Sequence, residues 1–524
     1  MKRTLYFIIC FGFLLLWSSC RKDFEFSPSS GNLEFSKDIV YLDTVFTNIG
    51  SSTYNLKVYN RSDEDITIPS VGLSRGEGSN YRLNIDGNAG KLFTNVEILA
   101  KDSLFVFVET TVDIEDETTL ENQFLYTDKI EFDSGANLQN VELVTLVKNA
   151  IFIYPDRDNT TGIIETLTLA VNGEQIETEI QGRELLPEEL TFTNEIPYVI
   201  YGYAAVPSGE TLTVDAGARV HFHANSGLLV SEAASLHVNG QLSTDPVLLE
   251  NEVIFEGDRL EPGFAEIPGQ WGTIWLFENS ENNIIEHATI KNATVGILSD
   301  ANADTPTDKL TIENTQIYNS SNYGILGRNT SISAKNLVIN NSGQVSFAAT
   351  LGGKYNVTHS TIANYWNNSF RQFPALLINN FIVDGNGTAL LTDLTEANFN
   401  NCIIYGNDNP EFLLDELQDD DNTTPPLAFN FKFTNCLIRF QDNNDDFNGA
   451  NYDLDNEDLY FNNIFNGDPN FRDSSENDLI IGESTSAKEQ GDPSFVSQIP
   501  SDILGVNRPT SPKPDIGAYQ HTTF

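Results

Sequence analysis

The chain has 524 residues, too many for one ordinary domain, and 29 Lys and Arg against 75 Asp and Glu leave a net charge of −46 at pH 7. That balance excludes a general nucleic-acid binder, which needs a basic surface. Only four cysteines are present, so disulfides are not the framework of the fold.

Lys2 and Arg3, an apolar run from Leu5 to Trp17 and then Ser18-Ser19-Cys20 have the three parts of a secretory signal over residues 1–19. The run is too short to span a bilayer stably. The small residues ahead of Cys20 resemble a bacterial lipobox, and the charged stretch 21–25 resembles the tether of Bacteroidetes surface lipoproteins. This resemblance implies a lipid on Cys20, a tether over residues 20–32 and attachment to the outer membrane, facing the cell exterior.

Residues 33–150 read as short strands separated by turn chemistry, as in 54–60 and 104–108 with breaks at 61–65 and 84–87, and predict a β-sandwich. The segments 43–46 and 102–108 resemble the immunoglobulin-like module that precedes β-helices in Bacteroidetes surface lipoproteins, where it acts as a spacer. Residues 151–195 are expected to be a connector with a strand pair.

From Thr211 the apolar runs and Gly corners (Gly217, Gly227, Gly240) resemble the opening coils of right-handed β-helix proteins, and Gly269-Gln270-Trp271-Gly272 fits the next coil. Between 285 and 440 one phrase recurs seven times: an apolar residue, a spacer, Asn or His, two residues, Ile or Val. The Asn or His positions are His287, Asn314, Asn336, His359, Asn380, Asn401 and Asn435, at intervals of 27, 22, 23, 21, 21 and 34. A period near 22 predicts one short-stranded coil per repeat, each burying its apolar face against its neighbours. The apolar positions are the first, fourth and sixth, so alternation slips at the Asn, where a left-handed bend is expected. His287 and His359 are therefore corner residues rather than bases. The fold class is all-β, an N-terminal β-sandwich followed by a right-handed parallel β-helix (a solenoid) over 196–465. Residues 466–524 supply further coils and a cap, where Asp515-Ile516-Gly517-Ala518-Tyr519 resembles the closing phrase of bacterial β-helix proteins.

β-Helices host lyases, hydrolases, adhesins and inert stalks, so fold does not fix activity. No Gly-His-Gly turn of the pectin-hydrolase kind is present. A lyase needs a base and a cation beside a uronate, and the nearest cluster is Lys354, His359, Tyr365 and Arg371. Trp271, Trp275, Tyr365 and Trp366 are candidates for stacking on sugar rings, in competition with core packing. Ca²⁺ is the one cofactor the oxygen-rich stretches could take, through Asp419, Asp420 and Asp421 or through the loosely EF-hand-like Asn444, Asp446, Asn448 and Asp455. Cys402 and Cys436 share the fourth position of neighbouring coils and are either bridged or two buried thiols. The reading is a lipid-anchored surface protein binding glycan or another extracellular ligand without turnover, with a polysaccharide lyase or a structural stalk or adhesin as alternatives.

Overall fold

The computed structural model describes residues 25–116, 122–171, 174–302, 306–418 and 426–524. The signal segment, Cys20 and Asp419, Asp420 and Asp421 lie outside the described residues. Two compact units, Met1–Asn149 and Ala150–Phe524, are distinguished.

The first unit packs two sheets face to face. One has five strands, in the order Glu34–Phe35, Tyr54–Tyr59, Ser103–Thr110, Tyr81–Ile85 and Asn88–Gly90. The other has six, centred on Ile66–Leu73, Gln123–Phe132 and Gln139–Lys148. Alternation along each strand sends Leu56, Val58, Val106 and Val108 inward onto Val71, Ile130 and Val141. The buried Tyr81 hydroxyl keeps its polar partners there, donating to the Tyr126 carbonyl at 3.0 Å and pairing with Thr145 at 3.1 Å. The expected tether is shorter than its assigned span: Ser27–Pro28 already pairs with Ile66 and Thr67 at the sheet edge.

The second unit is a parallel β-helix with three stacked sheets. Sheet I runs from the end of Glu174–Glu184 to Phe412–Asp415, sheet II from Thr191–Phe192 to Tyr460–Phe461, and sheet III from Ile151–Ile153 to Ile464–Phe465. Ile151–Ile153 pairs in parallel with Tyr198–Ile200, so the expected connector already contributes to the helix.

From His287 onward each coil passes from sheet II to sheet III through one left-handed residue. His287, Asn314, Asn336, His359, Asn401, Asn435 and Asn462 hold φ between 45° and 53°. That conformation is costly for most L-residues and tolerated by Asn and His. The bend explains the slip in alternation: Ile285, Ala288 and Ile290, and their counterparts in later coils, are fully buried in one continuous core. In the coil before the ladder the level position is Gly240, whose backbone is not left-handed and where a Cβ would meet the His287 carbonyl at 2.1 Å.

Two further sequence expectations change. Asn380 is not a corner: it follows Leu376–Asn379 in sheet I, and its side chain brackets Leu417, accepting from the N–H and donating to the carbonyl, each at 2.8 Å. The real coil runs 42 residues from His359 to Asn401, with a hairpin of Phe381–Val383 and Ala389–Leu391 thrown out of it. An Asn closing a strand end produces the same phrase, and the insertion happens to be one coil long. The missed corner is Asn462, whose coil follows the long aromatic-rich insertion. The second change concerns residues 466–524, which form no further coils. They lie on the outside of sheet III, packing Leu479, Ile481, Ile503 and Ile516 on Val338, Ala363, Ile403 and Leu437. The open end of the helix is closed instead by Phe447 and Tyr452 against Phe412 and Phe440.

Corner and outer segment are one device. Asn401 pairs with His359 Nε2 at 2.9 Å, accepts from the Asp492 N–H at 2.7 Å and donates to the Asp492 carbonyl at 3.1 Å. Arg508 fills the gap in the ladder by donating to Asn336 Oδ1 at 2.7 Å. Asn401→Ala is expected to lower unfolding stability by about 2–4 kcal/mol, through left-handed strain and orphaned buried groups, whereas Asn401→His should keep the bend and lose less. Denaturant midpoints of the two variants check this.

Candidate functional site

The three sheets differ in what lies outside them. Sheet III is covered over its later coils by residues 466–524. The hairpin of Thr166–Val171 and Glu174–Glu184 covers the first coils of sheet I, setting Leu167 and Leu169 against Leu229 and Phe277. Across sheet II no described segment makes a covering layer. Its outward residues form register rows, one of them Thr213, His237, Ile284, Thr311, Ser333, Asn356, Asn398 and Lys432. All are partly exposed. The row beside it carries Glu313 and Lys335, paired at 2.6 Å, and Asn398 donates to Asn356 Oδ1 at 3.1 Å. The result is a straight, mainly polar ladder of hydroxyls (Thr213, Thr311, Ser333) and amides (Asn356, Asn398), interrupted by His237 and Ile284 and ended by Lys432, repeating at the strand spacing of about 4.8 Å.

A second constellation sits outside the early coils of sheet III. His221 and His223 leave one strand on the same side, and register sets Glu256 beside His221 in the next coil, with Asp258 two residues on. His223 Nδ1 lies 2.8 Å from Asp258 Oδ2; its side chain is 46 % exposed while that of Asp258 is 10 % exposed. The ring stacks on Tyr201 at 4.3 Å between centroids. A carboxylate on Nδ1 fixes the neutral tautomer that presents Nε2 as a proton acceptor. Beside it, burial pushes the Glu256 carboxyl up, but His221 and Lys291 outweigh burial and hold it below the ordinary value; the Lys291 ammonium is 3.1 Å away. Two excursions flank this strip, pinned by Arg219 donating to the Leu249 carbonyl at 2.7 Å and Asn292 donating to the Ala265 carbonyl at 2.8 Å. Sequence reasoning missed the group because its members meet only through coil register, in coils that lack the Asn phrase. The one available signal was two histidines at an alternating spacing with a Glu-Gly-Asp stretch about one coil later.

The structure does not assemble the residues singled out as a lyase centre. Lys354 pairs with Asp308 on the outside of sheet II at 3.1 Å. His359 is fully buried at the corner, and burial, then the nearby Arg508, depress its pKa well below the ordinary value. Tyr365 packs edge-on against Phe471 under the outer segment. Arg371 is a structural cation, buried in bidentate contact with Glu411 at 2.7 and 2.8 Å. Glu411 also accepts from the Ala375 and Asp408 N–H groups, which locks the two connections from sheet III to sheet I.

The aromatic candidates separate as well. Trp271 is a core residue, 1 % exposed and stacked on Phe222 at 4.2 Å. Trp366 is buried, with its indole N–H on Ser369. Trp275 keeps partial exposure on sheet I, where its N–H donates to Asp300 at 2.8 Å, and Tyr365 is partly buried under the outer segment. The Ca²⁺ candidates Asn444, Asp446 and Asn448 lie in a turn organised by Asp442, whose carboxylate accepts the N–H groups of Asp446 and Phe447 at 3.0 Å. Asp455 follows in the end-closing segment. Among the described residues no group of three or more His, Cys, Asp or Glu is set to hold a metal. Cys402 and Cys436 are both buried free thiols.

No family model matches the chain, and no curated protein sequence matches it. Among solved structures, it is similar to a family 123 glycoside hydrolase from Clostridium perfringens (8% identity, 22% of this chain, 26% of that chain, TM-score 0.16). The chain thus spans about a quarter of that structure's length. It is also similar to the E. coli chaperone DraB (14% identity, 29% of this chain, 80% of that chain, TM-score 0.16). A third similarity is to the catalytic unit of a thermostable GH87 α-1,3-glucanase from Streptomyces thermodiastaticus strain HF3-3 (9% identity, 73% of this chain, 79% of that chain, TM-score 0.24). At these low TM-scores nothing about this chain is drawn from them.

Removing Arg371 leaves a buried carboxylate without its cation. Arg371→Ala is expected to cost about 3–5 kcal/mol near neutral pH. Burial already raises the Glu411 carboxyl above its ordinary value against the opposing guanidinium and amides. A raised carboxyl contributes its stability when protonated, fully below the ordinary pKa, and loses it as pH rises through the folded value. The deficit of Arg371→Ala relative to wild type should therefore shrink as pH is lowered towards 4, measured by unfolding midpoints across pH.

Proposed function

We propose that this is a lipid-anchored cell-surface β-helix protein that binds extracellular glycan along sheet II without turning it over. The observation that carries the reading is the long uncovered row of mainly polar residues on that sheet, while the outer segment covers the later coils of sheet III and the hairpin the first coils of sheet I. A straight, periodic, polar surface suits a hydroxyl-rich polymer, which meets equivalent groups coil after coil. The anchor rests on the basic start, the short apolar run and the Ser-Ser-Cys20 stretch of the sequence. No helix among the described residues is long and apolar enough to cross a membrane.

A second reading, a carbohydrate-active enzyme, is favoured by one separate observation: His223 held by Asp258 with its ring half-exposed. That pair has the geometry of an oriented general base.

One experiment separates these. Purified residues 21–524 are titrated with neutral polysaccharides while new reducing ends are followed. The glycan-binding reading expects saturable binding, no new ends, and about tenfold weaker binding in Asn356→Ala/Asn398→Ala. New ends that disappear in His223→Gln would transfer the function to the enzyme. Absence of both signals would leave a stalk or adhesin. Labelled palmitate should enter the full-length chain and fail to enter Cys20→Ala.

A further inference from the structure

The expected role of the first unit as a spacer leaves one of its surfaces unexplained. On the outer side of the five-stranded sheet, Phe105 and Phe107 point outward from the central strand Ser103–Thr110 and are 45 % and 41 % exposed. Alternation already satisfies the core through Val106 and Val108, so nothing in the packing requires phenylalanine at the intervening positions. The two rings lie nearly parallel, 18° between planes and 6.1 Å between centroids, and so form one platform.

The platform is framed by cations. Lys57, opposite Phe105 in register, holds its ammonium 5.1 Å from the Phe105 ring centre and 5.3 Å from that of Tyr59. Ring faces attract an ammonium but do not neutralise it, and no ion pair to Lys57 is formed among the described residues. Arg61 lies over the other side of Tyr59 at 4.1 Å and is held in that pose by Glu34. Arg82 stands at the far edge, 3.8 Å from Glu109. Counted over these outward positions, Lys57, Arg61 and Arg82 face Glu34 and Glu109, so the patch is locally cationic on a chain of net charge −46.

We infer that this face is a second binding site, distinct from sheet II, and that it takes a polysaccharide of uronic acids. The pyranose faces lie on Phe105 and Phe107, through apolar and C–H contacts, and a sugar carboxylate pairs with Lys57. The charge selects the class. A neutral glycan would stack but leave the lysine unanswered, and an acidic polymer can approach so acidic a protein only at such a patch. Two exposed, stacked rings flanked by a cation without an ion pair also distinguish the face from the large aromatic clusters of the second unit's core, such as Phe399, Phe412 and Phe433.

The test uses residues 21–524 with polygalacturonate as the uronate probe and a neutral glucan as control, at low and high salt. Saturable binding to the uronate polymer is expected, weakening as salt rises, with binding to the glucan unaffected by changes on this face. Phe105→Ala/Phe107→Ala should weaken uronate binding about tenfold, and Lys57→Gln should weaken it and flatten the salt dependence. Phe105 and Phe107 are exposed and Lys57 is partly exposed, so the variants should keep wild-type unfolding midpoints, and Asn356→Ala/Asn398→Ala on sheet II should leave uronate binding intact. No uronate binding by the wild type, or equal binding by the Phe105→Ala/Phe107→Ala variant, would overturn the inference. Loss only in the sheet II variant would overturn it as well and place the uronate on the other unit. Retention of an unrelated protein by the same rings, with no uronate binding, would mark a protein-docking face instead.

Discussion

A single backbone constraint organises most of the second unit. From His287 to Asn462 every turn of the helix leaves sheet II through one residue with φ near +50°, and that bend moves the inward side chain from the first to the fourth position of the repeated phrase. Once it is fixed, apolar residues stack on apolar residues in one shared core. The outward residues fall into straight rows for the same reason. The corner therefore sets both what holds the fold together and what the surface can present. Asn suits it twice over, since it accepts the conformation and its amide can bond to the coil above, as Asn336 does to Asn314 at 2.8 Å.

The three outer faces then take different fates. Sheet III would expose Val338, Ala363, Ile403 and Leu437 in four successive coils, an apolar strip too large to leave wet, and residues 466–524 cover it. Those residues also bond back to the corner, through Arg508 at Asn336 and Asp492 at Asn401, so cover and corner stabilise one another. Sheet II carries Thr, Ser, Asn and Lys on its outer side and needs no cover. Its openness is a consequence of composition, and that makes it the natural place for a partner.

Much of this architecture was legible in the chain. The Asn phrase located six of its seven corners correctly because local backbone chemistry writes itself into local sequence. It failed at Asn380, where a strand-ending Asn copies the phrase and the inserted hairpin is one coil long, and it missed Asn462, which follows a long insertion. The course of residues 466–524 was misread as further coils because an apolar residue that packs on the outside of a sheet looks, in sequence, like one that packs inside it. Site residues fared worse for a related reason. Arg371 and Trp271 carry chemistry-bearing side chains, and only burial and partners reveal that Glu411 and Phe222 use them for structure. The His223 and Asp258 pair is 35 residues apart and depends on register that no local pattern states.

The central claim is that one outer face is left open while another is sealed by the chain's own end. Hydroxyl-radical footprinting of the unliganded protein tests it directly, because modification follows side-chain exposure. The account predicts ready modification of His237, Ile284 and Phe461 on sheet II, and protection of Ile403, Leu437 and Tyr519 beneath the outer segment. Strong modification of Ile403 and Leu437 with protection of the sheet II residues would contradict it.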